Sequence, residues 1–495
     1  MKIVLISLYL VENLSIRALH SILKNKGYNV RSIFLEDSYY HVLKRLSSKE
    51  MQILMRKIKE INPDIVGISV RSPYINIANS VTKSIKKEIG VPVIYGGVHA
   101  TLMPEECLNY ADMVCVGEGD EAFPELVNRL ENKQRYNDIK GIWVKENGQI
   151  KDNGYAMSKV SENVTFNSFD DDSYYFIINN KISKNIEENR NLFSKILLFP
   201  FARRGYYNII ANKGCPFSCS FCINGIKKIE DGGKPRLKYR SVDNVIDEIL
   251  TAKNKYHMPG VVFHDDIFTV NKNWIREFSD KYKKYINLPF MINSHFYYLD
   301  EEILKKLKFA GLKLIKIGIE SGSKRINKLI YNRWFDRDKI IEVSKIIRDL
   351  EIIPLYDIIV SNPFEIGADK EATFRLLLDI YHPHLWKIIL HRFVAFPRYK
   401  IADYINNSDI PVKVDNFDLF SWSRDYISSR FGTKENVFWN SLFWLISVNV
   451  LSKEKLIAIS KSKFLKKNPV FLRTFCLLIL IFKSPMFEYK IFSKF

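Results

Sequence analysis

Short apolar runs alternate with amphipathic stretches along residues 1 to about 135, and the alternation resumes from about 201 to 400. This pattern restricts the chain to α/β folds built on parallel strands. In the first block the strand-like runs are 3–8, 30–35, 64–70, 93–95 and 113–116. Stretches with helical spacing fall between them at 15–26, 49–61 and 75–89, and Gly27 and Gly90 stop two of these. The expected architecture is a doubly wound sheet, which binds ligands at the carboxyl ends of its strands. The loops at Ser69, Gly96-Gly97 and Gly117 lie on that edge.

Residues 136–200 read as a connector, with a small hairpin at 141–150 and a polar surface loop from Asp170 to Asn191. The second block has a different cadence. Its strand runs are 207–211, 261–264, 290–294, 314–319, 354–360 and 388–393. Six β/α units predict a partial (β/α)6 barrel, with its site at the strand C-termini. Residues 401–495 lack this rhythm and read as a mainly helical region.

The chain has 495 residues, an ordinary apolar fraction of 47% and a formal net charge of +20. That composition supports a large core and excludes a disordered chain. No run reaches the ~18 to 20 apolar residues that a membrane-spanning helix needs. No small-residue cleavage site follows the apolar run after Lys2, so the expected compartment is a reducing cytoplasm. Most of the positive charge reads as lysines on wet helix faces.

Only six cysteines occur, and Cys215, Cys219 and Cys222 fall within eight residues. Their C-x3-C-x2-C spacing follows the first strand of the second block. Three thiolates so spaced can hold three irons of a [4Fe–4S] cubane and leave the fourth iron open. A structural zinc site is the competing reading. It needs four closed ligands, usually from paired CxxC units, and no second CxxC exists here.

This motif, with Phe221 before its last cysteine, resembles that of the radical S-adenosylmethionine (SAM) superfamily, and the resemblance covers about residues 205–395. It implies a [4Fe–4S] cluster whose open iron is chelated by SAM, and a 5′-deoxyadenosyl radical formed by one-electron cleavage. It implies that Asp265 or Asp266, at the end of the second strand, meets the SAM amino group. Glu320 and Ser321, in Gly318-Ile319-Glu320-Ser321-Gly322, match the ribose motif of the fourth strand. Asn362, in Ser361-Asn362-Pro363-Phe364, falls in the fifth-strand adenine motif. Asp265-Asp266 replaces the usual Gly-Glu, and Ser361–Phe364 replaces Gly-x-Pro-Gly.

The first block resembles the cobalamin (B12) binding domain that precedes many radical SAM barrels. The matching loops are Ser69-Val70, Gly96-Gly97-Val98-His99 and Gly117-Glu118. The Asp-x-His-x-x-Gly signature of histidine-ligated cobalamin domains is missing, since residues 9–14 hold no histidine. The implied cobalamin therefore has no histidine on its lower face. His20 reads as an ordinary helix residue. His99 reads first as a plain loop histidine, then as a contact to the corrin or its tail, and last as a cobalt ligand.

Together the resemblances imply a cobalamin-dependent radical SAM enzyme that transfers methyl to an unactivated carbon through methylcobalamin and a 5′-deoxyadenosyl radical. Oxidation, cyclisation or rearrangement with the same cofactors is the first alternative. A non-catalytic iron–sulfur, membrane-associated module is the second. The implied partners are a small-molecule or lipid-like substrate and a reductant such as flavodoxin or ferredoxin. Nucleic acid is not expected, because no binding module is present.

Residues 451–495 carry ten Lys and Arg against two acidic residues. Aromatic and aliphatic stretches lie at 437–446 and 475–482. Basic flanks beside aromatic anchors suit an interfacial helix on an anionic membrane, at the inner face. A helical cap packed on the barrel is the other expectation.

Overall fold

A computed structural model describes residues 1–9, 13–35, 46–157, 172–184, 206–230, 237–255, 258–380, 387–396, 398–407 and 433–479. The chain divides into two compact units, the second beginning at Tyr206. Each is described by itself.

The first unit is built on β1 (Lys2–Ser7), β2 (Asn29–Leu35), β3 (Ile65–Ser69), β4 (Val93–Gly96) and β5 (Met113–Cys115). These strands are parallel and lie in the order β5-β4-β3-β1-β2, with helices in the connections. Alternate residues of β1 feed two separate cores. Val4 and Ile6 pack on one face, Ile3 and Leu5 on the other. A parallel sheet covered on both faces needs such a continuous apolar run. The helices begin where their caps dictate. Ser47 Oγ accepts from the Glu50 N–H at 3.1 Å, while the Glu50 carboxylate accepts from the Ser47 N–H at 2.9 Å. This reciprocal capping box starts the helix Ser48–Ile61.

The stretch expected to be a connector instead extends this sheet. β6 (Ile142–Glu146) and β7 (Gln149–Lys151) form the expected hairpin, and β6 pairs antiparallel with β5. β8 (Tyr174–Ile178) pairs parallel with β2, and β9 (Lys181–Lys184) pairs back on β8. The result is a nine-stranded sheet, β7-β6-β5-β4-β3-β1-β2-β8-β9. All five residues of β8 are buried, so the expectation of a surface loop there is corrected. The remainder of that stretch, including Asp170 and Asn191, lies outside the described residues.

The second unit holds six parallel strands in sequence order. They are β10 (Tyr207–Ile209), β13 (Val261–Phe263), β14 (Phe290–Ser294), β15 (Leu312–Glu320), β16 (Ile353–Val360) and β17 (Lys387–Arg392). A two-residue ribbon, β11 (Asn212–Lys213) with β12 (Lys238–Tyr239), interrupts the first crossover. Ile315, Ile317, Ile319, Tyr356, Ile358 and Val360 join the helices in one core. The alternate residues Lys316, Glu320 and Asp357 are only half-buried and face the other side of the sheet.

The helix Lys434–Val448 completes this core. It buries Phe438, Trp439, Leu442, Phe443, Leu445 and Ile446, so the aromatic stretch at 437–446 is packing rather than a membrane anchor. Ser447 Oγ accepts from the Ile388 N–H and donates to the Ile388 carbonyl, each at 3.2 Å. A side chain thereby satisfies backbone groups on β17, the edge strand.

Candidate active site

The cysteine loop follows β10 and β11 directly. Cys219 is buried, and Cys215 and Cys222 are half-buried. Cys215 lies within electrostatic reach of Cys219, Cys222 and the Asp266 carboxylate. Burial pushes the Cys215 thiol up to about 12 and the Cys222 thiol up to about 11. Among the described residues no three His, Cys, Asp or Glu side chains converge on a single metal ion. A zinc site asks for that convergence. A cubane does not, because each thiolate binds its own iron at a separate corner. The donor set, three thiols from one loop, fits a [4Fe–4S] cluster.

The segment 330–333, which lies outside the sequence motifs, fastens the cysteine loop. Ser220 N–H donates to the Tyr331 carbonyl at 2.9 Å, and Asn332 Nδ2 donates to the Ser218 carbonyl at 3.0 Å. Arg333 Nη1 lies 3.6 Å from Cys219 Sγ, and its Nη2 donates to the Gly318 carbonyl at 2.7 Å. A Cβ on Gly318 would lie 2.2 Å from Glu320 Oε1 and 3.0 Å from Arg333 Nη2. The glycine thus keeps Glu320 and Arg333 close beneath the loop.

The structure separates the expected SAM-facing residues into two groups. Asp265 is buried, and its carboxylate accepts from the backbone N–H of Ala211 at 3.1 Å and also from that of Asn212. Burial raises it to about 7, with those hydrogen bonds opposing. It serves as a tie between strand ends. Asp266 is exposed and faces Cys215 and Cys222. Ser321 is fully buried and donates to Glu365 Oε1 at 3.2 Å, while Glu320 keeps a half-buried carboxylate. Burial raises the Glu320 carboxyl, with the Arg333 guanidinium opposing. Asn362 is buried, donates to Tyr331 Oη at 2.8 Å and accepts from the Phe364 N–H at 3.0 Å. Tyr331 also meets the edge of Phe221, ring centroids 4.9 Å apart. The Asp265, Ser321 and Asn362 side chains are thus held by internal hydrogen bonds.

A further polar set lies on the open side of the sheet. Asp357 of β16 binds Lys316 Nζ of β15 at 3.1 Å and His391 Nε2 of β17 at 2.8 Å. Burial raises the Asp357 carboxyl, but Lys316 and His391 outweigh it and hold it below its ordinary value. Sequence reasoning missed this trio. Its clearest signal was Asp357, the one charge in the otherwise apolar run Ile353–Val360; Lys316 shares Leu312–Glu320 with Lys313 and Glu320 and does not stand out there.

In the first unit the expected loops share one edge. Asn13 Nδ2 donates to Ser7 Oγ at 3.1 Å and to Ser69 Oγ at 3.0 Å, tying the loops after β1 and β3 where the strand order reverses. Val70 is buried, and its N–H donates to the Gly96 carbonyl at 2.8 Å. Gly97 has φ +93°, and a Cβ there would lie 2.9 Å from the Val70 carbonyl oxygen. Gly97 and Val98 are exposed, and Ser69, Gly96, Gly117 and Glu118 are half-buried. They make a ledge poor in side chains. His99 turns inward from this loop. It is 1% exposed, and its Nδ1 lies 3.1 Å from Ser72 Oγ. Burial brings it down to about 4. Its Nε2 is also buried, 3.6 Å from a Glu106 carboxylate oxygen. His20, also buried, is held between Ser32 Oγ at 2.7 Å and Ser173 Oγ at 3.0 Å.

Among the described residues the chain thus combines a nine-stranded sheet with a six-stranded parallel sheet whose first strand leads into a three-cysteine loop. The family models agree. Residues 2–127 match the B12 binding domain, and residues 209–377 match the radical SAM superfamily. The chain thus carries a B12 binding domain and a radical SAM domain.

It is similar to an uncharacterized methyltransferase of Pyrococcus horikoshii, 29% identical over 65% of this chain and 66% of that protein. It is also similar to the anaerobic magnesium-protoporphyrin IX monomethyl ester cyclase of Cereibacter sphaeroides, 26% identical over 66% of this chain and 51% of that one. A third relative is the cytidylyl-2-hydroxyethylphosphonate methyltransferase of Streptomyces wedmorensis, 24% identical over 60% and 57%. The chain thus spans between half and two thirds of the length of these relatives. Its fold matches that of the radical SAM methyltransferase TsrM of Kitasatospora setae, with a TM-score of 0.61 and 15% identity over 81% of this chain and 74% of that one. It also matches the cobalamin-dependent SAM radical enzyme OxsB, with a TM-score of 0.65 and 15% identity over 99% and 75%.

Proposed function

We propose that the protein is a cobalamin-dependent radical SAM methyltransferase acting on a polar small molecule at an unactivated carbon. The observation that carries this reading is the pairing, in one chain, of a side-chain-poor ledge in a B12 binding domain with a three-thiol loop in a radical SAM barrel. When bound, the cluster with SAM would supply a hydrogen-abstracting radical, and cobalamin would supply the methyl group. Cys215, Cys219 and Cys222 would hold three irons, and the 330–333 segment would keep their loop in place. Asp266 would meet the SAM ammonium, because a carboxylate suits a cation and Asp265 is already committed. Glu320 is the carboxylate available to a ribose. The ledge at Ser69, Gly96, Gly97, Val98, Gly117 and Glu118 would take the corrin and its tail largely through backbone. Lys316, Asp357 and His391 would hold the substrate, and their charge favours a polar one over a lipid-like one.

The test uses SAM labelled in its methyl group. The anaerobically reconstituted protein, with a reductant and a polar metabolite extract, should place the label in a small molecule while producing 5′-deoxyadenosine and S-adenosylhomocysteine. Production of 5′-deoxyadenosine with unlabelled products only would replace methyl transfer with another radical outcome.

A further inference from the structure

The C-terminal helices of the second unit carry apolar side chains on two opposed faces. In the helical residues 469–479, Leu472 and Cys476 point inward, and Cys476 Sγ lies 3.6 Å from the Ser441 carbonyl oxygen. This contact fixes the helix to the barrel's core. Val470, Phe471, Phe475 and Leu478 point outward, with exposures of 63%, 61%, 42% and 49%. Phe464, 60% exposed, stacks on Phe471 with ring centroids 5.6 Å apart. Six of the fourteen large apolar side chains exposed among the described residues fall between Ile457 and Leu478. Single exposed apolar residues need no explanation, but a contiguous group marks a contact surface.

Charge narrows what that contact is. Residues 451–479 hold seven Lys and Arg and one acidic residue, Glu454. Lys461, Lys463 and Lys467 are exposed beside the apolar group. A second copy docking through a two-fold axis would set the same cations against each other. A nucleic acid would satisfy the charge but offer no apolar phase to Val470 and Leu478. An anionic bilayer surface satisfies both. No helix among the described residues is long and apolar enough to cross a membrane, so the contact is peripheral. We propose that the outward face of residues 464–478 docks the protein on the surface of an anionic membrane. The inward face meanwhile holds that helix rigidly on the barrel. This docking is independent of the reaction proposed above.

The full-length protein is sedimented with phosphatidylcholine vesicles, and with vesicles of phosphatidylcholine and phosphatidylglycerol in equal parts. Binding is expected to the anionic vesicles alone, and to weaken as salt is raised. The triple change Phe471→Ser, Phe475→Ser, Leu478→Ser should lower partitioning about tenfold or more. The triple change Lys461→Gln, Lys463→Gln, Lys467→Gln should lower it by about tenfold to a hundredfold. Both should keep the wild-type melting temperature, and if the serine variant does not fold, the lysine variant carries the test. The proposal is overturned if anionic vesicles fail to bind, or if both vesicle types bind equally. It is also overturned by a concentration-dependent dimer that the serine variant abolishes, or by RNA binding that only the lysine variant weakens.

Discussion

The two sheets of this protein each have a candidate site near the carboxyl ends of their parallel strands, and build it from opposite materials. In the first unit the edge is made of what is missing. Gly96, Gly97 and Gly117 leave backbone within reach, and both candidate histidines have their rings buried. In the second unit the candidate site is made of side chains, namely three thiols, Asp266, Glu320 and Arg333, with the Lys316–Asp357–His391 trio on the strands themselves. A ledge of backbone suits a large ligand that brings its own chemistry. A convergence of charged and nucleophilic groups suits a site that positions small reacting parts.

The comparison breaks most sharply if the cysteines can be removed without consequence. Cys222→Ala should abolish the cluster and all 5′-deoxyadenosine formation, read by iron analysis and chromatography, while cobalamin binding survives. The reciprocal change acts on the ledge. Gly97→Trp should lower cobalamin affinity by about a hundredfold or more while the iron content stays at that of wild type. It also strains a residue at φ +93°, at a cost of about 1–3 kcal/mol, so a melting curve accompanies the binding assay.

A smaller effect concerns acid. Burial holds His20 at about 3 and His99 at about 4, and both belong to the first unit. Unfolded, each takes up a proton near its ordinary value of about 6.5. The unfolded state therefore gains protons first, and stability is lost as pH falls below about 6.5. Each histidine contributes a loss of about 2 kcal/mol by about pH 5. In the second unit His295 acts in the same direction. Asp265 and Glu365 there, each raised by burial to about 7, keep protons that unfolded carboxyls release, so they favour folding as pH falls. The first unit should open first in acid, as peptide-resolved hydrogen exchange at about pH 7 and about pH 5 would show. The smallest effect is at the tail. Leu478→Asp should change stability by less than about 0.5 kcal/mol, since its side chain is already wet. Leu472→Asp, one turn and a half earlier but buried, should cost about 3 kcal/mol or more in thermal melts.

The strands that carry the site were legible because each is a local apolar run closed by a glycine or a polar residue. β8 was not, although Tyr174–Ile178 is wholly apolar. Its acidic flank suggests a loop, and its partner β2 lies far back in the chain, where periodicity gives no guide. The cysteine loop was legible from spacing alone. Which neighbour of a matched pair faces outward was not. Asp265 and Asp266, or Glu320 and Ser321, differ by one residue, and one residue along a strand end decides whether a side chain turns inward or outward. Arg333 and Tyr331 were hidden for another reason. They reach the site through a loop contact across more than a hundred residues, as the Arg333–Cys219 separation of 114 positions shows.

The central claim is that one chain runs two cofactor chemistries on two separate edges. The direct test measures 5′-deoxyadenosine and S-adenosylhomocysteine in a single anaerobic reaction of reconstituted protein, with and without cobalamin. The account predicts that both products form when cobalamin is present, and that leaving it out removes S-adenosylhomocysteine but leaves 5′-deoxyadenosine. S-adenosylhomocysteine formed equally without cobalamin, or no 5′-deoxyadenosine from the fully loaded protein, would contradict it.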